Sequence, residues 1–445
     1  MGDALDLHRL QFAFTIVFHY LFPQLTMGLA PIVVFLKWRA LTTGEARWAT
    51  AARFWTRLFG LNFALGVVTG IPMELQLGAN WARFTHLAGG VVGQTLAMES
   101  LFAFFLESSF LYLLVWGERR LSPRAHLWTA VALWVGSWLS GYFIIVTNAF
   151  LQHPVAYVVG LDGTLGVTDV VQYLLNPWAL AQYAHNQFAA LVTGSFVVSA
   201  IGAYWALRGD HAEQSSLALR VGTGAGLLAA ALVAFPTGDV QAKLVAQYQP
   251  ATLAAMEGRF TSGPYAEIHV LGQPNVKARR LDNPVGVPWV LSFLAYGHFS
   301  SEVKGLSEFP EDSWPTSIEL LYYAFHVMVG LGTLFLAVMA AANALRFLGR
   351  LERTRAMLWV LLLAFPLPYI ANTAGWMTAE LGRQPWLIHG VLRTAQGHSG
   401  NVHAGSVSFT LLGFLGLSLV LLLTFTLLVT RLIARGPARE ASAHG

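Results

Sequence analysis

The sequence contains no cysteine, which excludes disulfide bonds, thiolate chemistry and iron–sulfur clusters held by this chain. Charged residues are also scarce, at 11% of 445 residues, whereas soluble domains carry about 25%. Hydrophobic residues make up 55% of the chain, and the mean hydropathy is +0.54. These values predict an all-α polytopic membrane protein. The net charge of +4 is small and gives no reason to expect nucleic-acid binding.

Apolar runs separated by charged or Pro/Gly-rich stretches predict nine transmembrane helices, since about 20 apolar residues cross a bilayer. The predicted helices span residues 10–36, 54–75, 94–117, 126–150, 180–207, 217–236, 317–345, 356–380 and 403–430. The connection at residues 237–316 is the one long segment between helices, and it mixes Pro and Gly with charged and aromatic residues. We therefore treat residues 1–445 as a single membrane domain with one long loop between helices 6 and 7.

The distribution of basic residues predicts the orientation of these helices. Alternate connections hold seventeen Lys and Arg residues on one side and four on the other, without the 237–316 connection. That connection is left out because long loops cross membranes regardless of their charge. The N-terminus and the 237–316 loop are thus predicted to lie outside, and the C-terminus in the cytoplasm.

The third predicted helix contains two carboxylates, Glu99 and Glu107, and no basic residue. A charge in the middle of a membrane helix costs at least about 3 kcal/mol, so such residues usually face a cavity, a cofactor or an ion path. On a regular helix, eight residues separate them by roughly 80° in rotation and about 12 Å in depth. A packing role for two protonated carboxyl groups is the alternative.

Four other potential ligands lie in predicted helices, several of them near the outer ends: His19, His185, Met328 and Glu380. A His and a Met together suit a six-coordinate, low-spin haem, and a single His or carboxylate leaves an open iron site. Zinc would need several ligands that converge on one point. The spacing alone leaves two functions open, a membrane haem protein and a proton-coupled transporter or channel.

Several stretches, in order along nearly the whole chain, resemble subunit I of the cytochrome bd quinol oxidases. The likeness rests on LHRLQFAFTIVFHYLFPQLTMG, Met98-Glu99 with Glu107, VQAKLVAQYQPATLAAME at Val240–Glu257, MVGLG from Met328, and GWMTAELGRQPW from Gly375. The GRQPW segment that follows a membrane glutamate is specific, and the combination of all five stretches is more so.

The resemblance implies three haems near the outer face. His185 and Met328 match the axial ligands of a low-spin haem b. His19 and Glu380 match axial ligands of a high-spin haem b and a haem d, or of a further haem b in its place. Which of the two residues serves which haem varies within the family, so this assignment stays open.

The resemblance also implies roles for residues around the high-spin haems. Glu99 and Glu107 match residues at this haem pair and on its proton path, and Trp376 matches an aromatic residue of the haem cluster. Arg9 and Arg383 are candidates to pair with haem propionates, with ordinary outer-surface charge as the alternative. Ser140 and Asn148 fall on positions associated with proton or oxygen access.

The 237–316 loop corresponds to the quinol-binding loop of that family, and Glu257 matches its carboxylate on the quinol side. Two residues depart from the pattern. Thr252 stands where many relatives have Lys, and His326 stands where many have Arg. Both departures resemble a cyanide-insensitive branch with a short quinol loop, and they bear on quinol contact and on the potential of the low-spin haem.

The activity implied is that of a terminal respiratory oxidase in the bacterial cytoplasmic (inner) membrane. It oxidises quinol at the outer face, reduces O2 to water with protons from the cytoplasm, and so generates a proton motive force. The resemblance implies a second large membrane subunit, subunit II, and allows a small single-span subunit. Two alternatives are a haem-bearing quinol dehydrogenase without oxidase activity and the transporter considered above. The sequence does not distinguish ubiquinol from menaquinol.

Overall fold

The structure is a computed structural model that describes residues 2–437, apart from the side chains of residues 2, 3 and 102–104. The predicted membrane domain thus extends at both ends beyond the described residues. The α-helices are α1 Gly2–Thr43, α2 Ala46–Ala79, α3 Ala82–Met98, α4 Phe105–Trp116, α5 Pro123–Gln152, α6 Val170–Leu174, α7 Pro177–Arg208, α8 Ala212–Leu232, α9 Gly238–Tyr248, α10 Pro250–Met256, α11 Val290–Tyr296, α12 Ile318–Phe347, α13 Arg355–Leu363, α14 Leu367–Arg383, α15 Thr394–Gly397 and α16 Ala404–Arg435.

Short strands form three antiparallel pairs in the connections: β1 Tyr157–Val159 with β2 Leu165–Val167, β3 Ile268–Asn275 with β4 Arg280–Val287, and β5 Trp386–Ile388 with β6 Leu392–Arg393. Segments of π-helix at Glu99–Phe104 and Val233–Thr237 join α3 to α4 and α8 to α9. Short 3-10 helices lie at Leu306–Glu308, Glu311–Ser313 and Leu351–Arg353.

Nine helical spans within residues 2–437 are long and apolar enough to cross a membrane, which confirms the predicted number. They are longer than predicted, because hydropathy marks the apolar part of a helix whereas backbone hydrogen bonding continues beyond it. The third span begins at Ala82 rather than 94, and the sixth continues to Tyr248 rather than ending at 236. The long connection therefore starts after Tyr248, at the end of α9, and not at residue 237 as predicted.

Two helices that contribute to the candidate site, α5 and α7, begin at clear sequence signals. The Ser122 hydroxyl accepts a hydrogen bond from the backbone N–H of Ala125 at 3.2 Å, and Asn176 Oδ1 accepts one from Trp178 at 3.0 Å. A proline follows each cap, where its missing N–H is not needed. These caps fix where each helix starts and so which of its residues face inwards.

The two π-helical segments change which side chains align along their spans. Pro236 forces the preceding Phe235 out of helical geometry, to φ −116° and ψ 164°. In the third span the π turn begins at Glu99, so Glu99 and Glu107 do not lie on a regular helix. Because a π turn contains an additional residue, each residue advances less in rotation. The predicted separation of roughly 80° is thus too large, and the two carboxylates lie closer to one side.

Apolar residues form one large cluster at each end of the bundle. Following the predicted orientation, we name the end at which α1 begins the outer end. Phe150, Trp178 and Leu321 belong to the outer cluster, whereas Trp55 and Trp205 belong to the cytoplasmic cluster. Within the described residues, none of the predicted site residues belongs to an apolar cluster.

Candidate functional site

His19 on α1 has one ring nitrogen fixed and the other available. The Thr69 hydroxyl on α2 donates its hydrogen to the Leu65 carbonyl oxygen at 2.9 Å. It therefore accepts from His19 Nδ1, which lies 3.0 Å away. This contact selects the tautomer with hydrogen on Nδ1 and leaves a lone pair on Nε2. A histidine that ligates a metal is oriented in this way by its second nitrogen.

His185 on α7 repeats the arrangement with a different threonine. The Thr237 hydroxyl, at the end of the second π segment, donates to the Leu232 carbonyl oxygen at 2.7 Å. It accepts from His185 Nδ1 at 3.3 Å, so the Nε2 lone pair of His185 is also available. Sequence reasoning missed both threonines. Each is about fifty positions from its histidine, and an isolated Thr in an apolar helix usually bonds only its own backbone.

Met328 on α12 lies against the backbone of α14. A Cβ atom placed on Gly375 would lie 2.9 Å from Met328 Sδ, so only glycine leaves room for the thioether there. Trp376, the next residue, packs edge-on against Tyr20 with ring centroids 5.8 Å apart. The Tyr20 hydroxyl donates to Asn186 Oδ1 at 2.5 Å. These contacts fix the residues beside His19, His185 and Met328 relative to one another.

Glu380, near the end of α14, has both carboxylate oxygens engaged. Asn148 Nδ2 on α5 donates to Oε1 at 2.6 Å, and the Arg383 guanidinium contacts Oε2. Gln182 on α7 in turn donates to Asn148 Oδ1 at 2.9 Å. Arg383 is only 3% exposed, and its Nε and Nη1 have no partner within the described residues. A buried guanidinium with two unpartnered nitrogens is suited to bind an anionic group.

Glu99 and Glu107 also face α5. The Ser140 hydroxyl donates to Glu99 Oε1 at 3.0 Å, and the Ser137 hydroxyl lies within hydrogen-bonding range of the buried Glu107. The two carboxylates interact electrostatically with each other. Ser140 and Asn148 therefore contact two of the predicted site carboxylates. Helix α5 is the element that joins Glu107, Glu99 and Glu380.

Glu257 follows α10 in the outer loop and is buried, with 1% of its surface exposed. Burial raises its pKa to about 8, although the His269 backbone N–H and the Arg259 charge act in the opposite direction. Its Oε2 has no partner in the described part of the chain. His269 Nδ1 lies 3.1 Å from the Glu257 carbonyl oxygen, and its Nε2 lies 3.1 Å from Glu267 Oε1. Near neutral pH, Glu257 is thus able to accept and release a proton.

The two residues that depart from the family pattern both hold backbone segments together. The Thr252 hydroxyl donates to the Gly382 carbonyl oxygen at 2.7 Å and joins α10 to the end of α14. His326 lies 2.7 Å from the His269 carbonyl oxygen and 2.8 Å from that of Tyr322. Arg9, a predicted propionate partner, is half-buried at the start of α1 and lies 3.7 Å from Asp6. Within residues 2–437, Arg9 forms no hydrogen bond or ion pair with another predicted site residue.

The donor set fits haem rather than a free metal ion. Among the described residues, no three His, Cys, Asp or Glu side chains converge as a metal site. Instead, single imidazole, thioether and carboxylate groups lie on different helices, and buried Arg383 has nitrogens available for a propionate. This combination defines a class, that of membrane proteins with prosthetic groups held between their helices.

Comparison with known proteins identifies the family within this class. The family model "Cytochrome bd terminal oxidase subunit I" matches residues 7–437. The chain is 32% identical to cytochrome bd ubiquinol oxidase subunit 1 of Bacillus subtilis (strain 168), over 98% of this chain and 95% of that protein. It is 31% identical to cytochrome bd-II ubiquinol oxidase subunit 1 of Escherichia coli (strain K12), over 99% and 98%. The structure of bd oxidase from Geobacillus thermodenitrificans is similar with a TM-score of 0.90 and 30% identity, covering 98% of this chain and 99% of that one.

The chain belongs to the cytochrome bd terminal oxidase subunit I family. It is therefore a multi-span subunit of a bacterial respiratory quinol oxidase, of a family that binds haem and forms a complex with subunit II. The predicted family, fold class and enzyme class are confirmed, and the transporter alternative is wrong. The roles of individual residues stay predictions.

Proposed function

We propose that this chain oxidises quinol at its outer loop and supports the reduction of O2 to water with protons drawn from the cytoplasmic side. The observation that carries the proposal is that His19 and His185 are held in the same way, by Thr69 and Thr237 respectively. In each pair a hydroxyl that already donates to a backbone carbonyl holds Nδ1 and leaves Nε2 available. Two independent imidazoles prepared in the same way are expected of haem ligands and not of packing residues.

The haem-holding residues proposed here are those that the resemblance to the family implies. His185 and Met328 would hold the low-spin haem b from α7 and α12, which both pack against α14. His19 and Glu380 would each supply the single ligand of the two high-spin sites, for a haem b and a haem d or a further haem b. Bound haem iron supplies the electron transfer and the oxygen chemistry. Arg383, with Nε and Nη1 unpartnered, would hold a propionate, and Arg9 is the candidate for another.

The proton-carrying residues lie on two sides of this region. Glu257 in the outer loop would accept a proton as quinol is oxidised and release it outside. Glu107 and Glu99 would pass protons from the cytoplasmic side, because Ser137 and Ser140 on α5 bind them in turn and the two carboxylates lie on one span. Proton release outside and uptake inside would charge the membrane without a separate pumping step.

Partners and substrates follow the same reasoning. The relatives are named for ubiquinol in two cases and for menaquinol in a third, a putative menaquinol oxidase subunit of Bacillus subtilis that is 30% identical over 88% of this chain. We propose quinol as the substrate class, the inner membrane as the location, and a small single-span subunit as a further partner besides subunit II.

The test is oxygen consumption and charge separation by the complete purified oxidase in sealed lipid vesicles. With quinol supplied outside, the proposal expects oxygen uptake, acidification outside and alkalinisation inside. Oxygen uptake without a change in internal pH would contradict the proposed proton route. The absence of oxygen uptake by a haem-loaded preparation would contradict the oxidase function itself.

A further inference from the structure

Two buried polar atoms without partners lie where the outer loop meets α12. One is Glu257 Oε2, and the other is the hydroxyl of Tyr322, whose residue is also only 1% exposed. Neither has a hydrogen-bond partner within residues 2–437. A buried hydroxyl or carboxylate oxygen that lacks a partner is costly. Because both atoms lie at the same junction, a single ligand that reaches it would supply both missing hydrogen bonds.

The two groups lie at one buried junction. A Cβ atom placed on Gly258 would lie 3.2 Å from the Tyr322 ring and 2.9 Å from Leu281 Cδ1, so the backbone after Glu257 touches both side chains. The Glu257 carboxylate is also close enough to Tyr322 to interact with it electrostatically. Leu281, on strand β4, covers this contact.

Tyr322 lies on α12, the helix that also carries Met328, and contacts the outer loop through His326. Its ring stacks on His326 with centroids 3.9 Å apart and an interplanar angle of 29°. His326 is held in turn by the His269 carbonyl oxygen of strand β3 at 2.7 Å. A second hydroxyl near this junction, that of Thr252 on α10, already donates its hydrogen to the Gly382 carbonyl oxygen. The Tyr322 hydroxyl is thus the neutral donor left available beside Glu257.

We propose that Tyr322 binds the quinol headgroup, its hydroxyl donating a hydrogen bond to one quinol oxygen while Glu257 contacts the reacting hydroxyl. The inference rests on the proposed quinol site at Glu257 and adds a second residue to it. Oxidation of quinol to quinone releases two electrons and two protons, and Tyr322 exchanges none of them. Its role is to bind the headgroup and to fix its distance from α12.

The test compares Tyr322→Phe with Tyr323→Phe in the complete oxidase. Both substitutions remove one hydroxyl from adjacent residues of α12, but Tyr323 is 46% exposed. Loss of one hydrogen bond at a buried site is expected to lower kcat/KM for quinol about tenfold in Tyr322→Phe. Tyr323→Phe is expected to stay within about twofold of the wild type. Equilibrium binding of a hydroxyquinoline N-oxide, a quinol analogue, followed by fluorescence quenching, should weaken by a similar factor only in Tyr322→Phe.

Haem content and reduction by dithionite serve as the control for assembly, and both should equal those of the wild type in the two variants. Wild-type kinetics and analogue binding in Tyr322→Phe would overturn the inference and leave the proposed function intact. A wild-type enzyme that consumes no oxygen with quinol would instead overturn the proposed function. If Tyr322→Phe lost haem, analogue binding by two other variants, Tyr322→Trp and Glu257→Gln, would decide the question. Binding of the analogue at the wild-type level by both variants would show that Tyr322 and Glu257 do not share a quinol site, and would overturn the inference.

Discussion

The two ends of the helix bundle bury a basic residue in different ways. At the cytoplasmic end, Lys37 is 8% exposed and its Nζ lies 3.2 Å from His126 Nδ1. His126 Nε2 in turn donates to the Leu114 carbonyl oxygen at 3.0 Å. At the outer end, Arg383 is buried at least as deeply, yet only its contact with Glu380 is made and two nitrogens have no partner within residues 2–437. Lys37 thus has its partner within the protein, whereas Arg383 has two nitrogens available for another group.

Two threonines of α2 also differ between the ends, but here the unpartnered side chain lies at the cytoplasmic end. Thr56, towards the cytoplasmic end, is buried and its hydroxyl has no partner in the described part of the chain. Thr69, towards the outer end, is buried as well, but its hydroxyl orients His19. Removing an unpartnered hydroxyl is harmless or stabilising, while removing one that holds a ligand changes the site. The difference between the ends is thus open to direct tests.

The largest expected effect is that of Met328→Leu. Leucine fills a similar volume but cannot ligate iron, so the low-spin haem signal should be lost while the protein still assembles. Met339→Leu, on the same helix in the apolar core, is the matched control and should keep the spectrum. Absorption and electron paramagnetic resonance spectra of both variants measure the outcome. An unchanged low-spin signal in Met328→Leu would remove this residue from the ligand set.

Glu107→Gln should lower oxygen consumption about a hundredfold, because an amide cannot relay protons and positioned acid–base groups contribute 10²–10⁴-fold. Binding of the quinol analogue should be unaffected, since Glu257 and Tyr322 lie in the outer loop region. Glu118→Gln, an exposed carboxylate that pairs with Arg53 at 3.2 Å, is the control. Steady-state oxygen uptake near the wild-type rate in Glu107→Gln would exclude Glu107 from the proton path.

Thr69→Val should weaken haem retention at the His19 site about tenfold, within the range typical of groups that orient a metal ligand. Valine keeps the shape of the side chain but frees His19 Nδ1. Thr56→Val tests the other end of α2 and should change neither haem content nor stability by much. The measurement is the haem-to-protein ratio of each variant as the purified oxidase is diluted, which reports how readily haem is lost. Equal ratios in the two variants would mean that the Thr69 contact does not orient a haem ligand.

The smallest effect expected is one in the unmodified enzyme, a pH dependence of quinol oxidation. Burial raises the pKa of Glu257 to about 8, so the carboxylate that accepts a proton is a minority species at neutral pH. The value of kcat/KM for quinol should therefore rise with pH and level off above about 8. Glu257→Gln should remove this rise together with most of the activity. A wild-type profile that is flat between pH 6 and about 9 would contradict the role given to Glu257.

The sequence was sufficient for the number of spans, because the hydrophobicity of each run determines whether it crosses a bilayer. The histidines and glutamates could also be predicted as site residues, because polar side chains are rare in membrane helices and usually functional. Met328 was identified through the resemblance to the family. The π turn after Glu99 was not predictable, because hydropathy does not encode a local change in backbone hydrogen bonding. The partners Thr69, Thr237 and Tyr322 were missed because their roles depend on contacts between distant segments.

The central claim is that the outer end of the bundle holds haem through His19, His185, Met328 and Glu380. The most direct test is the dithionite-reduced minus oxidised absorption spectrum of the purified oxidase, together with its haem-to-protein ratio. We predict three haems for each copy of this chain, one of them with a low-spin b-type signal. A correctly inserted, full-length preparation that shows no haem absorption would contradict the account.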